Sequence, residues 1–391
     1  MVQRLKLQSI EELDNVICIF GISIWGLLLA KTFHNKGKKI YFSDNNPDFN
    51  GKSIINGLVC KQPTEIDKED YVVIAVQRDN VKDQIAEQLR EFELDKVYCL
   101  DSDEMQDIRK SIDMKELIEC LWFSHMKYEL DWNNLKTLDE KMQWIKLYDR
   151  RKEYVQFADK YRARDYISEK FGEQYLIPLL YVTDDYNDVC AENMPDCHFA
   201  IKSNCWSGDV ELVRSKEKVD WDKLRERFKS IFETNYSRRE GEWWYESIKP
   251  YIVVEKLLEN ADGCIPNDYK LHFINGELQF IYCAIDREGE NYRKMYDPDW
   301  RQLPFSWNGS ATPPELDKDD IECPVNFENM VRMGKEIAKE LPYVRVDYYE
   351  VDGRLYFGEI TISHGAGFDH FIPQEYDEFY GSKLVLPNNI G

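Results

Sequence analysis

The stretch YVRVDYYEVDGRLYFGEIT, residues 343–361, constrains the fold most. Apolar and polar residues alternate on both sides of Asp352-Gly353, a dipeptide that accepts the left-handed conformations a two-residue hairpin turn demands. Arg345 and Asp347 lie two apart in the first strand, as do Glu359 and Thr361 in the second, and a period of two puts each pair on one face. If the two faces coincide, Asp347 and Glu359 are neighbours with Arg345 beside them. Adjoining carboxylates repel unless a positive charge lies between them. Mg²⁺ is the expected cation, held by one or two carboxylates while phosphates and waters complete its shell. The hairpin then reads as a platform for nucleotide phosphates. The competing reading is a surface hairpin whose charges are merely solvated. The run Ser363-His364-Gly365-Ala366-Gly367 that follows is small enough to let backbone approach a ligand closely.

A chain of 391 residues has room for two or three domains, each with its own core. With 43% hydrophobic and 14% aromatic residues it is expected to fold. A net charge of -22 argues against a general nucleic-acid or anionic-membrane surface. No run of eighteen apolar residues occurs, and the start MVQRLKLQSIEELDN has no signal-peptide core, so no membrane insertion and a cytoplasmic location are expected. The ten cysteines include no C-x-x-C pair and read as reduced thiols.

Residues 15–45 run as a buried strand, a glycine turn, a helix and a second strand ending in Asp44, the pattern of a βαβ unit. Gly21 and Gly26 stand where a dinucleotide fingerprint has its first and last glycines, and Ser23 takes the middle place. Gly21, Ser23, Gly26 and Asp44 are therefore the candidate nucleotide or nucleotide-sugar site. Further strands at 71–76 and 96–100, with a helix at 81–92 between them, complete a Rossmann-like parallel α/β domain over residues 1–105. Residues 106–135 are expected as a helical linker.

Thr137-Leu138-Asp139-Glu140 is a capping box opening a helix, and a second helix is expected from 152 to 170, carrying Lys160, Arg162 and Arg164. His198-Phe199-Ala200-Ile201-Lys202 reads as a strand ending in a lysine, followed by the small polar turn through Ser207 and Gly208. An ammonium there, with loop N–H groups, suits phosphate oxygens. Glu255 breaks the apolar strand Tyr251 to Leu258. A buried carboxylate needs a partner, and an adenine amino group or a ribose hydroxyl would supply one. Lys270, His272, Arg287, Arg293 and Lys294 are spread over the next sheet, with Asp268 among them, and this basic density reads as a field aimed at an anion.

In this order the blocks TLDEKMQWIKLYDR, FADKYRARDYI, IKSNCWSG, VVEKLLE, DYKLHFINGELQFI, VRVDYYEVDGRLYFGEIT and GAGF resemble the ATP-grasp superfamily, and most closely the TupA-like (teichuronopeptide-type) ATP-grasp amidoligases, over about residues 125–385. The resemblance implies an α/β and α+β chain in which residues 136–391 form an ATP-grasp domain with its nucleotide cleft between two subdomains. It implies that Lys160 and Lys202 bind ATP phosphates under the loop bearing Ser207 and Gly208, with Lys270 close by. Glu255, Lys256 and Leu258 would bind adenosine. Asp347, Glu359 and Thr361 would hold Mg²⁺, and Arg345, with Arg293 near it, would neutralise the phosphorylated intermediate. The family often has asparagine where Thr361 stands, and histidine and glycine where Cys205 and Trp206 stand.

The reaction the resemblance implies is ATP-dependent amide ligation through an acyl phosphate. Family context points to a uronic acid of a capsular or surface polysaccharide precursor, joined to an amino acid or small amine. The alternatives are a glycosyl- or phosphotransferase on the same platform, and a scaffold without catalysis.

Overall fold

The computed structural model describes residues 3–13, 15–234, 236–307 and 318–387. The chain divides into two compact units, Met1–Asn134 and Leu135–Gly391.

The first unit is built on a parallel sheet of β1 (Gln3–Leu5), β2 (Ile17–Phe20), β3 (Ile40–Ser43), β4 (Cys60–Lys61), β5 (Tyr71–Ile74) and β6 (Val97–Leu100), in the order β1-β6-β5-β2-β3-β4. All of its pairings are parallel. Its central strand ICIF is buried along its whole length, as a parallel strand covered on both faces must be. The helices are α1 (Leu7–Glu11), α2 (Ile24–Asn35), α3 (Asp79–Glu91), α4 (Ser102–Ser111) and α5 (Met114–Met126). The stretch expected as a linker therefore contains α5 and the end of α4, and both helices pack on α2 within this unit.

Gly26 lets α2 lie against the turn after β2, since a Cβ there would sit 2.0 Å from the Gly21 carbonyl oxygen. Gly26→Ala is expected to cost about 3 kcal/mol through backbone displacement. Hydrogen exchange should show the loss in the first unit and leave the second unchanged.

The second unit has two antiparallel sheets. The smaller holds β7 (Leu179–Thr183), β8 (Phe199–Ser203), β9 (Val210–Val213) and β10 (Ile252–Lys256), in the order β7-β10-β8-β9. The larger holds β11 (Asp268–Ile274), β12 (Glu277–Ile285), β13 (Tyr292–Tyr296), β14 (Gln302–Leu303), β15 (Tyr343–Val351) and β16 (Arg354–Thr361), in the order β14-β13-β12-β11-β15-β16. Asp352 and Gly353 take φ of 49° and 73°, and Asn275 and Gly276 take 48° and 82°, which suits the two hairpin turns.

Around the sheets lie α6 (Leu138–Tyr148), α7 (Glu153–Ala158), α8 (Ala163–Phe171), α9 (Trp221–Glu233), α10 (Ser237–Glu240), α11 (Phe327–Ala338) and α12 (Glu375–Lys383). Helix α6 opens on the expected capping box: the Glu140 N–H donates to Thr137 Oγ1, and the Thr137 N–H to Glu140 Oε2, both at 3.1 Å. Helix α11 covers one face of the larger sheet so closely that a Cβ at Gly334 would lie 2.3 Å from the Phe273 ring. That face takes the apolar half of β15, Val344, Val346 and Tyr348, all buried. The opposite face carries the charged row. No helix among the described residues is long and apolar enough to cross a membrane.

Candidate functional site

Strands β15 and β16 pair Asp347 with Glu359 and Arg345 with Thr361. The hairpin thus brings the two carboxylates side by side. The ladder slips between Asp347 and Tyr348, and Gly358 fits that bulge because a Cβ would approach the Asp347 carbonyl oxygen and the Tyr349 ring to 3.0 Å each. The positive charge between the carboxylates is the Arg345 guanidinium. Its Nε donates to Asp347 Oδ1 at 2.7 Å, and its Nη2 to Asp347 Oδ2 at 2.8 Å and to Glu359 Oε1 at 2.7 Å. From β11, Lys270 Nζ reaches Asp347 Oδ2 at 2.5 Å and Asp268 Oδ2 at 2.6 Å.

Burial opposes ionisation of Glu359, yet Lys160, Arg345, Lys270 and Lys202 outweigh it and hold its carboxyl well below the usual range. Asp347 is deeper, and burial pushes its carboxyl up against the pull of Arg345 and Lys270. Burial likewise disfavours the charged Lys270, but Asp268 and Asp347 reverse the effect and raise it above an ordinary lysine.

Lys160 is in a loop and not on a helix as expected. Asp159 ends α7, and its Oδ1 accepts from the Tyr161 and Arg162 N–H groups at 2.9 and 3.2 Å. An aspartate competing for backbone donors in this way breaks a helix. The break turns Lys160 towards the site, where Nζ donates to the Trp206 carbonyl at 2.9 Å and stands 3.5 Å from Glu359 Oε2. The loop after Lys202 is tied down at its start: Asn204 Nδ2 donates to Asp159 Oδ1 at 2.9 Å, and Asn204 Oδ1 accepts from the Tyr251 N–H at 2.7 Å. Ser207 and Gly208, at its tip, are exposed. Burial raises the Cys205 thiol, which suits a packing role and not a nucleophile's.

Glu255, expected beside adenosine, is also engaged with two cations. Its two oxygens are taken by Lys202 Nζ at 2.6 Å and Arg164 Nη1 at 2.5 Å, so its side chain orients cations. Next to it an open pocket is lined by Lys202, Glu255, Lys256, Leu258, Arg287 and Tyr349, with Ile177, Leu212 and Pro266 among its apolar walls. Lys202 and Glu255 come from the smaller sheet and Tyr349 from the larger, so the cavity lies between the two sheets. An apolar slot ending at a charged row suits a flat base joined to phosphates.

The expected basic field is only partly assembled. Arg293 shares the charged face through its pairing with Ala284, but it bonds Tyr282 Oη at 2.7 Å and the Asn291 carbonyl at 2.7 Å. Lys294 points to the other face, where Asp320, Gln302 and the Lys318 carbonyl hold it. The loop at Gly365 brings its backbone to α6, since Gln143 Nε2 donates to the Gly367 carbonyl at 2.7 Å. Tyr349 joins the site without a local sequence signal, and only the register of β11 on β15 and the ion pair of Arg164 with Glu255 bring Asp268 and Arg164 to their partners.

In the first unit, the turn named by Gly21, Ser23, Gly26 and Asp44 is occupied by its own side chains. Asp44 accepts from the Ile22 and Asn46 N–H groups at 2.7 and 2.8 Å. Ser23 Oγ donates to the Ala75 carbonyl at 2.7 Å and caps α2 by accepting from the Gly26 N–H. A phosphate at this turn meets a carboxylate already placed there.

The pair Asp347 and Glu359 fits Mg²⁺ in the form that takes two protein carboxylates and leaves the rest of the shell to phosphates and water. Among the described residues no third His, Cys, Asp or Glu joins them, and Thr361 Oγ1 lies 3.5 Å from Glu359 Oε1. Arg345 and a cation compete for the same oxygens.

The sequence model of the TupA-like ATPgrasp family matches residues 140–385. Comparison with curated proteins found no match. Among solved structures, D-alanine–D-alanine ligase from Bacillus anthracis aligns at 12% identity over 94% of this chain and 92% of its own, with a TM-score of 0.32. N5-carboxyaminoimidazole synthetase from Staphylococcus aureus aligns at 12% identity over 100% and 81%, with a TM-score of 0.31. The ATP-grasp ligase PsnB, complexed with minimal precursor, Mg and ADP, aligns at 11% identity over 89% and 88%, with a TM-score of 0.29. Likeness at this level is too low to bear on the site.

Proposed function

The chain belongs to the TupA-like ATP-grasp family, a family of ATP-dependent carboxylate–amine ligases, and on that premise we propose that it joins a uronic-acid carboxylate of a surface or capsular polysaccharide precursor to an amino acid or small amine. ATP is the energy source. What supports the reading most is the in-register pair Asp347 and Glu359, bridged by Arg345 and faced by Lys160 and Lys270.

In this reading the base of ATP enters the cavity beside Lys256 and Leu258, and its phosphates extend over Lys202 and Lys160. Mg²⁺ on Asp347 and Glu359 would neutralise phosphate charge. Arg345 and Lys270 stabilise the charge that develops when the substrate carboxylate takes the γ-phosphoryl group. Arg164 and Glu255 keep Lys202 aimed at the phosphates. The amine then attacks the acyl phosphate and releases phosphate, and closure of the loop bearing Ser207 and Gly208 over the site would keep water from reacting first.

An ADP-release assay with UDP-glucuronate and a panel of amines tests this. ADP should form only when a carboxylate and an amine are both present, and an amide should appear in the product. Sugar transfer without ADP would favour a glycosyltransferase instead, and the ligase assignment would fall.

A further inference from the structure

A buried polar cluster lies one row from the carboxylate pair on the same sheet face. His272 on β11 is the cross-strand neighbour of Arg345. Its Nδ1 is 2.8 Å from Tyr343 Oη, and that oxygen is 2.8 Å from His364 Nδ1. The far side of His364 faces two acids: Nε2 lies 3.6 Å from Asp139 Oδ1 and 3.8 Å from Asp369 Oδ2. Both separations are too long for hydrogen bonds. Neither oxygen of Asp139 has a hydrogen-bond partner and neither has His364 Nε2, although the side chains are 0% and 1% exposed. Buried groups of this kind are almost always paired.

The surroundings do not supply the missing partner. Lys146, the nearest cation on α6, donates to Gln143 Oε1 at 2.8 Å and the Ala366 carbonyl at 2.9 Å, and rests over the Phe368 ring. Asp377 caps α6 by accepting from the Asp139 N–H at 3.1 Å. Burial, with Asp377 and Asp369 nearby, pushes Asp139 well above the usual carboxylate range, and burial pushes Asp369 up to about 6 and His364 down to about 3, so the imidazole brings no positive charge and it takes a bound cation to hold the acids ionised. The loop is shaped around Asp369: Gly365 has φ +49°, and a Cβ on it would lie 2.2 Å from Asp369 Oδ2. Asp369 is 30% exposed and gives the cluster its opening.

We propose that Asp139, Asp369 and His364 Nε2 form the binding site for the primary ammonium group of the amine substrate. An ammonium carries three N–H donors and no acceptor, and here His364 Nε2 and both oxygens of Asp139 are buried acceptors without a partner, with Asp369 Oδ2 3.8 Å from the same Nε2. Two carboxylates neutralise its charge in a setting where an unpaired cation would be expelled. A divalent metal is a poorer fit, because no metal-spaced group of three side chains exists among the described residues. Through Tyr343 the cluster connects to His272, the cross-strand neighbour of Arg345, so it shares a sheet face with the proposed site of acyl phosphate formation. This inference rests on the amide-ligase reading for its choice of ligand.

Calorimetry on the full chain with methylammonium chloride, against tetramethylammonium chloride and KCl at equal ionic strength, tests the site apart from turnover. Methylammonium should bind saturably and the other two should not. Asp369→Asn should weaken it about tenfold or more, the loss of one charge-assisted hydrogen bond, and Gly365→Ala, which crowds the same carboxylate, should act alike if Asp369→Asn fails to fold. Equal binding of KCl, no binding of methylammonium (a cluster holding only water), or an unchanged Asp369→Asn variant overturns the proposal. Methylammonium binding without ADP release under any condition leaves the amine site standing and removes the ligase reading. ADP release whose amine KM is unmoved by Asp369→Asn does the reverse.

Discussion

Asp347→Asn should cut ADP formation by on the order of 10³-fold while leaving the fold intact. The size follows from removing a preorganised charge at the centre of a site that works by electrostatics. Survival of the fold follows from the way the charges are shared. Asp268, Asp347 and Glu359 face Lys270, Arg345 and Lys160. When Asp347 loses its charge, Lys270 keeps Asp268 at 2.6 Å and Arg345 keeps Glu359 at 2.7 Å, so no cation is left alone in the interior. A coupled ADP assay beside a thermal melt checks both halves. Turnover within about tenfold of the parent protein would remove Asp347 from the catalytic machinery.

Glu255→Gln should act in the opposite manner, chiefly on stability. Glu255 is the carboxylate partner of both Lys202 and Arg164 and is buried at 4% exposure. Removing one member of a buried ionic group leaves charge uncompensated, a loss of about 3 kcal/mol. In a unit of this size that corresponds to a Tm lowered by about 6–12 °C. Adding Lys202→Met should restore part of the loss by removing one stranded cation. If Glu255 instead served adenosine directly, Glu255→Gln would weaken ATP binding and leave the melting of the ligand-free protein unchanged, so the two roles separate in one experiment.

Asp347 and Glu255 also mark how far the sequence by itself reaches. The alternation around Asp352-Gly353 is a local signal, and with both faces set by a period of two it placed Arg345, Asp347 and Glu359 together, as the register has them. Family blocks and local pattern likewise pointed to Lys202 and its strand. Partnership over long sequence distances leaves no local trace. Glu255 and Arg164 are 91 residues apart, and nothing near either one says that they meet. Lys160 falls inside the helix expected over 152–170, yet Asp159 diverts two backbone donors and opens the helix there. Lys294 counts towards the basic density of the sheet, although neighbours in a strand face opposite ways and it lies on the other face from Arg293. In the first unit the glycine spacing was legible, but Asp44 folding back on Ile22 was not.

The cluster of Asp139, His364 and Asp369 belongs to the same class. Asp139 sits in the first turn of α6, where an acid is favourable for the helix alone, and His364 lies in a small-residue run that suggested backbone approach. Only the packing of α6 on the loop after β16 makes the two face one another.

The central claim is that ATP energises a carboxylate on the platform of Asp347 and Glu359. The most direct measurement supplies a uronic-acid substrate labelled with ¹⁸O in its carboxylate and follows the phosphate released with ADP by mass spectrometry. One ¹⁸O should appear in each phosphate formed, because the carboxylate oxygen that takes the γ-phosphoryl group leaves with it when the amine attacks. Phosphate free of label, formed while the amide accumulates, would mean that no acyl phosphate is made and would contradict the account.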